Sequence, residues 1–316
     1  MADLTQVSNE IFANIRSTTL LTEKSKSLYI RNLELLAKYS NVADAWTAVM
    51  KPNKTFAALQ CRFDGQLYSL YSLVSAAISA FNHVPRLKAA FPKTYATWSA
   101  FLKSVQEPIR LRELSSQPTE RQMLGWTPLE DIVAMRNQLP YSSPARLLLA
   151  MYTDIPSRRN DFSHLRIYKE EPPADSTGNY IILPSKGTDV WLVLQDYKTS
   201  KIYKTVKEKL PPRLIRDIRV SLQMQPRDFL FVSTRNQKPY NNEATFDAWV
   251  NGTLKRTFKK PLTLTLIRHA YVTNMSLDDM TPLEREDIAR RMGHNRAMQD
   301  IYKFRFSRTE VTSSSS

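Results

Sequence analysis

Residues 263–302 read TLTLIRHAYVTNMSLDDMTPLEREDIARRMGHNRAMQDIY. Apolar residues recur at helical spacing from Thr263 to Met275, which predicts one helix. Thr281-Pro282-Leu283-Glu284 then predicts the start of a second. Thr caps, Pro takes the first helical position where no N–H is needed, and Glu reaches back to the cap. Gly293 just past the last turn is the expected stop. Along this stretch stand four polar side chains of chemical interest: Arg268, His269, His294 and Tyr302.

Working outward, Thr127-Pro128-Leu129-Glu130 repeats the same helix start, and Ser143-Pro144 opens a helix through Leu147–Met151. Between these helices and the last pair the period changes. Tyr180–Leu183 and Val190–Leu194 are short β-branched or aromatic runs separated by Pro184, Ser185 and Gly187, and predict antiparallel strands. Helices resume after Pro211-Pro212 and around Phe246–Leu254. The first third carries helical stripes only: Tyr29, Leu33, Leu36 and Ala37; then Leu67, Leu70, Tyr71, Val74, Ile78 and Phe81; then a segment around Tyr95–Val105. The polar run 114–121 has turn formers and no period. The expected fold is therefore mainly α with a small antiparallel sheet (α+β). A helical domain would span 1–115, a linker 116–126 and a second domain 127–316.

A chain of 316 residues has room for two domains. With 42% apolar and 24% charged residues it has ordinary globular composition. It shows no apolar run of the ~20 residues a bilayer requires and no secretory leader, so no membrane partner and no secretion are expected. A single cysteine, Cys61, leaves no disulfide framework or cysteine-rich zinc site, which points to a reducing interior. The net charge of +15 is shared: residues 1–115 hold 14 Lys/Arg against 8 Asp/Glu, and the rest 31 against 22. Two basic domains suit a polyanion contacted from both sides. Six scattered glycines build no phosphate loop. The four histidines lack metal-ligand spacing, and no acidic cluster resembles a two-metal nuclease. No cofactor and no metal are expected, so chemistry would fall to basic residues and a hydroxyl.

The segments Leu266-Ile267-Arg268-His269-Ala270, Arg291-Met292-Gly293-His294 and Ile301-Tyr302 resemble the C-terminal signature of tyrosine recombinases. Upstream, Thr153 to Phe162 is similar to that family's first box, with Arg158 three residues before Asp161. Lys198-Thr199 follows the second strand, as does the family's hairpin lysine. The resemblance covers roughly residues 125–305, and the helical first third fits the family's core-binding domain. It implies a C-shaped clamp on double-stranded DNA, self-association there as a dimer or tetramer, and a place in the cytoplasm or nucleoid of a prokaryote or the nucleus of a eukaryote.

It also implies roles. Tyr302 would be the nucleophile, forming a 3′-phosphotyrosyl ester that stores the bond for religation without ATP. Arg158 and Arg268 would hold the phosphate, as planar donors of fixed charge. Lys198 would protonate the leaving 5′-oxygen, and His294 would hydrogen-bond the phosphate. Asp161, Thr265 and His269 would support them. Plain structural alternatives stand beside each: a packing tyrosine, a surface arginine, a capping histidine. Arg159 competes with Arg158, and Lys201 and Lys204 compete with Lys198. A type IB topoisomerase or an inactive DNA-binding protein on the same fold would share most of these features. The chain also departs from the family pattern. Thr265 stands where the family has a histidine that accepts the tyrosine proton, leaving His294, water or activation by the surrounding cations. The tail Lys303–Phe306, with two phenylalanines, is expected to extend onto a neighbouring subunit; folding back on its own domain is the alternative.

Overall fold

The computed structural model describes residues 4–158, 160–173, 175–240 and 242–306. Arg159 and the tail from residue 307 therefore lie outside the described residues. The chain divides into two compact units between Ser115 and Ser116.

The first unit is all-helical: α1 (Leu4–Ser17), α2 (Glu23–Ser40), α3 (Ala45–Met50), α4 (Pro52–Arg62), α5 (Leu67–His83), α6 (Pro85–Ala90) and α7 (Pro92–Ser115). The stripes expected of α2 and α5 face inward at Leu33, Leu36, Leu70, Val74 and Phe81, which are buried, whereas Tyr71 of the α5 stripe is exposed. Trp98 locks α7 to the end of α3 by donating its indole N–H to the Val49 carbonyl at 2.8 Å. The third helix is longer than its stripe, running through Pro108.

The second unit begins with α8 (Glu120–Gly125), α9 (Leu129–Gln138) and α10 (Pro144–Thr153). Helix α8 lies inside the stretch expected to be a linker. Thr119 and Gln122 close a capping box there, and Gly125 sits so close to the Pro261 carbonyl that a Cβ would lie 2.5 Å from it. The two Thr-Pro-x-Glu segments behave differently. Thr281 caps its helix in full, whereas Thr127 turns back to the Gly125 carbonyl at 3.4 Å and α9 starts at Leu129 without a side-chain cap.

Next come β1 (Arg166–Tyr168), β2 (Tyr180–Ile182), β3 (Trp191–Leu194), α11 (Ser200–Tyr203) and β4 (Val206–Lys209), in the sheet order β1-β2-β3-β4. The two strands expected from sequence pair antiparallel, with Ile181 opposite Leu192. Strand β1 adds in parallel, Ile167 opposite Ile181, so the small sheet is mixed rather than wholly antiparallel. Strand β1 enters from the same end as β2, which requires the long connection 169–179 in place of a tight turn. Three residues are too few to show a period. Helices α12 (Pro212–Met224), α13 (Glu243–Phe258), α14 (Leu264–Thr273), α15 (Pro282–Arg291) and α16 (Arg296–Tyr302) complete the unit. One core joins α10, α13 and α14 to the inner face of the sheet through Leu148, Ile181, Leu192, Phe246 and Ile267. No helix among the described residues is long and apolar enough to cross a membrane.

Candidate active site

The turn after α15 organises the site. Gly293 adopts φ +72°, the left-handed backbone that lets the His294 N–H reach back to the Ala289 carbonyl at 3.0 Å. Asn295 then caps α16, accepting from the Met298 N–H at 2.9 Å. That short helix ends on Tyr302.

Two buried arginines from different elements meet this turn. Arg158, in the loop after α10, donates Nη1 to the Arg291 carbonyl and Nε to Asp161 Oδ2 at 2.7 Å. Its guanidinium lies 4.5 Å over the Tyr197 ring and so close to Gly293 that a Cβ would stand 2.9 Å from Nη2. Arg268, on α14, donates to the Met292 carbonyl at 2.8 Å and to His294 Nδ1, and lies 4.5 Å over the Tyr302 ring. The His294 and Tyr302 rings are 5.4 Å apart.

The electrostatics follow from this crowding. Burial pushes the His294 pKa down to about 3, with Arg268 and then Arg158 adding to the shift. The ring is therefore neutral near pH 7. With Nδ1 accepting from Arg268, its proton belongs on Nε2, an atom that is buried and makes no hydrogen bond among the described residues. A neutral N–H donor thus stands beside two cations, a combination suited to an anion. His269 is likewise held neutral, its pKa lowered to about 4 chiefly by burial. It donates from Nδ1 to the Tyr302 carbonyl at 2.9 Å, fixing the backbone at the end of α16.

Arg158, Arg268, His294 and Tyr302 are thus gathered, with Asp161 and His269 bracing them. Lys198 is different. It is exposed, in the loop between β3 and α11, and its amine makes no hydrogen bond or ion pair among the described residues. Its neighbour Thr199 donates to the Gly293 carbonyl at 3.0 Å, so the loop itself reaches the turn. Thr265 lies half-buried one turn before Arg268, with no side-chain hydrogen bond among the described residues. The expected outward path of the tail is not observed. Phe304 is buried and stacks on His269 at 4.0 Å, and both Phe304 and Phe306 pack on Trp126, at 5.2 and 5.0 Å. Trp126, just after α8, supplies the apolar surface that keeps them on their own unit. Among the described residues no three His, Cys, Asp or Glu side chains group closely enough to hold a metal ion.

No family model matches the chain, and no curated protein matches it. Among solved structures, the Tn1549 transposon integrase in complex with transposon right end DNA aligns over 98% of both chains, at 13% identity and a TM-score of 0.54. The fold is that of the tyrosine recombinases. XerA recombinase aligns over 99% of this chain and 97% of its own, at 11% identity and a TM-score of 0.42. XerH site-specific recombinase bound to difH substrate aligns over 98% and 94%, at 12% identity and a TM-score of 0.42. Identities this low speak for the recombinase fold alone, and chemistry has to be argued from side chains.

Sequence reasoning missed several residues of this site. Gly293 reads as a helix stop, yet it also makes room for Arg158. Tyr197 and Asn179 carry no motif, and carbonyl partners such as those of Arg291 and Met292 are invisible in any sequence.

Proposed function

We propose that this chain is a site-specific DNA recombinase or integrase that cleaves and rejoins double-stranded DNA through Tyr302. The observation that carries the reading is the convergence of two buried arginines and a neutral histidine on one turn beside a tyrosine. In the proposed step the Tyr302 hydroxyl oxygen bonds to the scissile phosphorus and the bond to the 5′-oxygen breaks. Arg158, Arg268 and the Nε2–H of His294 stabilise the charge on the non-bridging oxygens. Lys198 gives its proton to the departing 5′-oxygen. The 3′-phosphotyrosyl ester is then attacked by a 5′-hydroxyl of a second strand. The Tyr302 phenol proton passes to water as its oxygen bonds to phosphorus. Lys198 regains its proton from the attacking 5′-hydroxyl as the tyrosine leaves with a proton from water, so atoms and charge balance with no hydrolysis, ATP or metal.

The His294 lone pair at Nδ1 is occupied by Arg268 and its Nε2 carries a proton, so this ring serves as donor rather than base. Arg268 over the Tyr302 ring favours the developing phenolate directly. Residues 1–115 would contribute DNA contacts through their basic excess, and strand exchange would require two or four copies on the DNA.

The test is covalent capture. A pool of random-sequence duplexes would be incubated with the protein in EDTA, denatured in detergent, and any DNA left on protein recovered and sequenced. Recovery of a recurring sequence with wild type and none with Tyr302→Phe is expected. An adduct that persists in Tyr302→Phe, or forms only when Mg²⁺ is supplied, would overturn the proposal.

A further inference from the structure

Lys198 is the exposed member of a set that is otherwise buried or half-buried, yet the residues on both sides of it are tied down. Asn179, just before β2, uses its whole side-chain amide. Its Nδ2 donates to the carbonyls of Asp161 at 2.8 Å and Asp196 at 2.7 Å, and its Oδ1 accepts from the N–H groups of Gln195 at 2.9 Å and Asp196 at 3.0 Å. One side chain thereby joins the Arg158–Asp161 loop to the backbone two residues before Lys198. Tyr197 comes next. Its ring lies under the Arg158 guanidinium at 4.5 Å and its hydroxyl donates to the Lys204 carbonyl at 2.7 Å. Thr199, on the other side, donates to the Gly293 carbonyl at 3.0 Å. The loop 195–199 is pinned at its start, middle and end to the groups that would hold the phosphate.

We infer that Asn179, Tyr197 and Thr199 are positioning residues that hold Lys198 against the phosphate site, and that they single out Lys198 over Lys201 as the proton donor. The inference rests on the recombinase reading above. A flexible four-carbon side chain delivers a proton only if its Cα is placed, because each uncontrolled torsion dilutes the productive geometry. Lys201, exposed and the second residue of α11, lies past Thr199, the last residue of the loop bonded to the groups that would hold the phosphate. The Tyr197–Lys204 bond spans it but only closes the chain on itself. Thr199 is the cleanest of the three to test, since its hydroxyl makes one bond and valine has nearly its shape.

The experiment uses the full chain and the duplex recovered by covalent capture, in two forms: the natural phosphodiester, and one with sulfur replacing the bridging 5′-oxygen at the cut site. Sulfur leaves without needing a proton, so it bypasses the general acid and nothing else. Thr199→Val should slow single-turnover cleavage of the natural strand about tenfold, the worth of one hydrogen bond, and should cleave the thio strand at the wild-type rate. Thr199→Ser, which keeps the hydroxyl, should behave as wild type on both. In a Lys198→Ala background, Thr199→Val should add no further loss. A Thr199→Val defect that persists on the thio strand would mark a general structural role and overturn the inference, as would full activity of Thr199→Val on the natural strand. Sulfur rescue of Lys201→Ala in place of Lys198→Ala would likewise overturn the inference, whereas failure of the recombinase reading has a different signature: no Tyr302-dependent cleavage of either strand.

Discussion

Among the described residues, four arginines of the second unit are almost fully buried, and they divide into two pairs. Arg136 meets Asp154 and Thr153, and Arg146 meets Asp217 and the Leu139 carbonyl, with carboxylate balancing guanidinium. Arg158 and Arg268 converge instead on a single turn, Arg158 on the Arg291 carbonyl and Arg268 on the Met292 carbonyl and His294. Asp161 answers Arg158, yet the histidine still registers both positive charges in its depressed pKa. Burial of an arginine is therefore no sign of a site. What marks the site is a second cation brought up to the first, an arrangement that costs stability and gives an anion its place.

The largest expected effect separates the chemistry from both pairs. Tyr302→Phe should abolish the covalent adduct while DNA affinity, measured by gel shift, stays near wild type, since the hydroxyl oxygen makes the bond and little of the contact. Adduct formation at Tyr271 in that variant would move the nucleophile onto α14 and break the assignment.

The two pairs should then separate by what they lose. Arg268→Ala should slow cleavage more than ~100-fold, the scale of one lost oxyanion donor, with a modest change in unfolding midpoint. Arg146→Ala should do the reverse, because it leaves Asp217 charged and buried; a loss of about 3–5 kcal/mol in urea unfolding is expected, with cleavage by the folded fraction intact. If Arg146→Ala slowed the chemistry as much as Arg268→Ala, the distinction between balancing and anion-holding arginines would fall.

The same comparison shows what could be read without coordinates. Arg158, Arg268, His294 and Tyr302 were legible because each sits in a short segment of specific order. The helices of the first unit were legible where their apolar stripes were long. Strand β1, with three residues, showed no period. The tail takes the alternative course, back onto its own unit; a sequence displays two phenylalanines and not the Trp126 and His269 rings that receive them. Thr127 and Thr281 carry one signature, and only the surroundings of Gly125 decide that the first turns backward.

A third, smaller effect concerns pH. His294 and His269 have folded pKa values lowered to about 3 and about 4, against an unfolded value of about 6.5. As pH falls below about 6.5 the unfolded chain takes up protons that the folded chain refuses until pH 3–4, so stability is complete above that window and declines within it. Between pH 7.5 and 5, His294 alone should account for about 2 kcal/mol of lost unfolding free energy, and His294→Gln should be less acid-sensitive by that amount. An anion in the site opposes the effect of the two arginines, so bound DNA should flatten the slope. An equal acid response in wild type and His294→Gln would show that the ring is not held neutral by its setting.

The smallest effect is expected at Thr265, where the chain departs from the pattern of the family it resembles. A threonine hydroxyl has no useful basicity near neutral pH, so it cannot stand in for an imidazole that accepts a proton. It lies half-buried one helical turn before Arg268, on the same face of α14. From there it can support the arginine or touch a phosphate oxygen. Thr265→Ala should therefore cost no more than about tenfold in single-turnover cleavage, the worth of one hydrogen bond of ~1.4 kcal/mol. Thr265→His should keep or raise the rate. Both outcomes follow if Tyr302 is activated by Arg268 above its ring and loses its proton to water, with His294 occupied as a donor. The pH profile provides the cross-check, since cleavage should show no limb near pH 6–7 that disappears in His294→Gln. A loss of a thousandfold or more in Thr265→Ala would place that hydroxyl in the chemistry itself, and two arginines beside a neutral histidine would no longer suffice to explain how the tyrosine is activated.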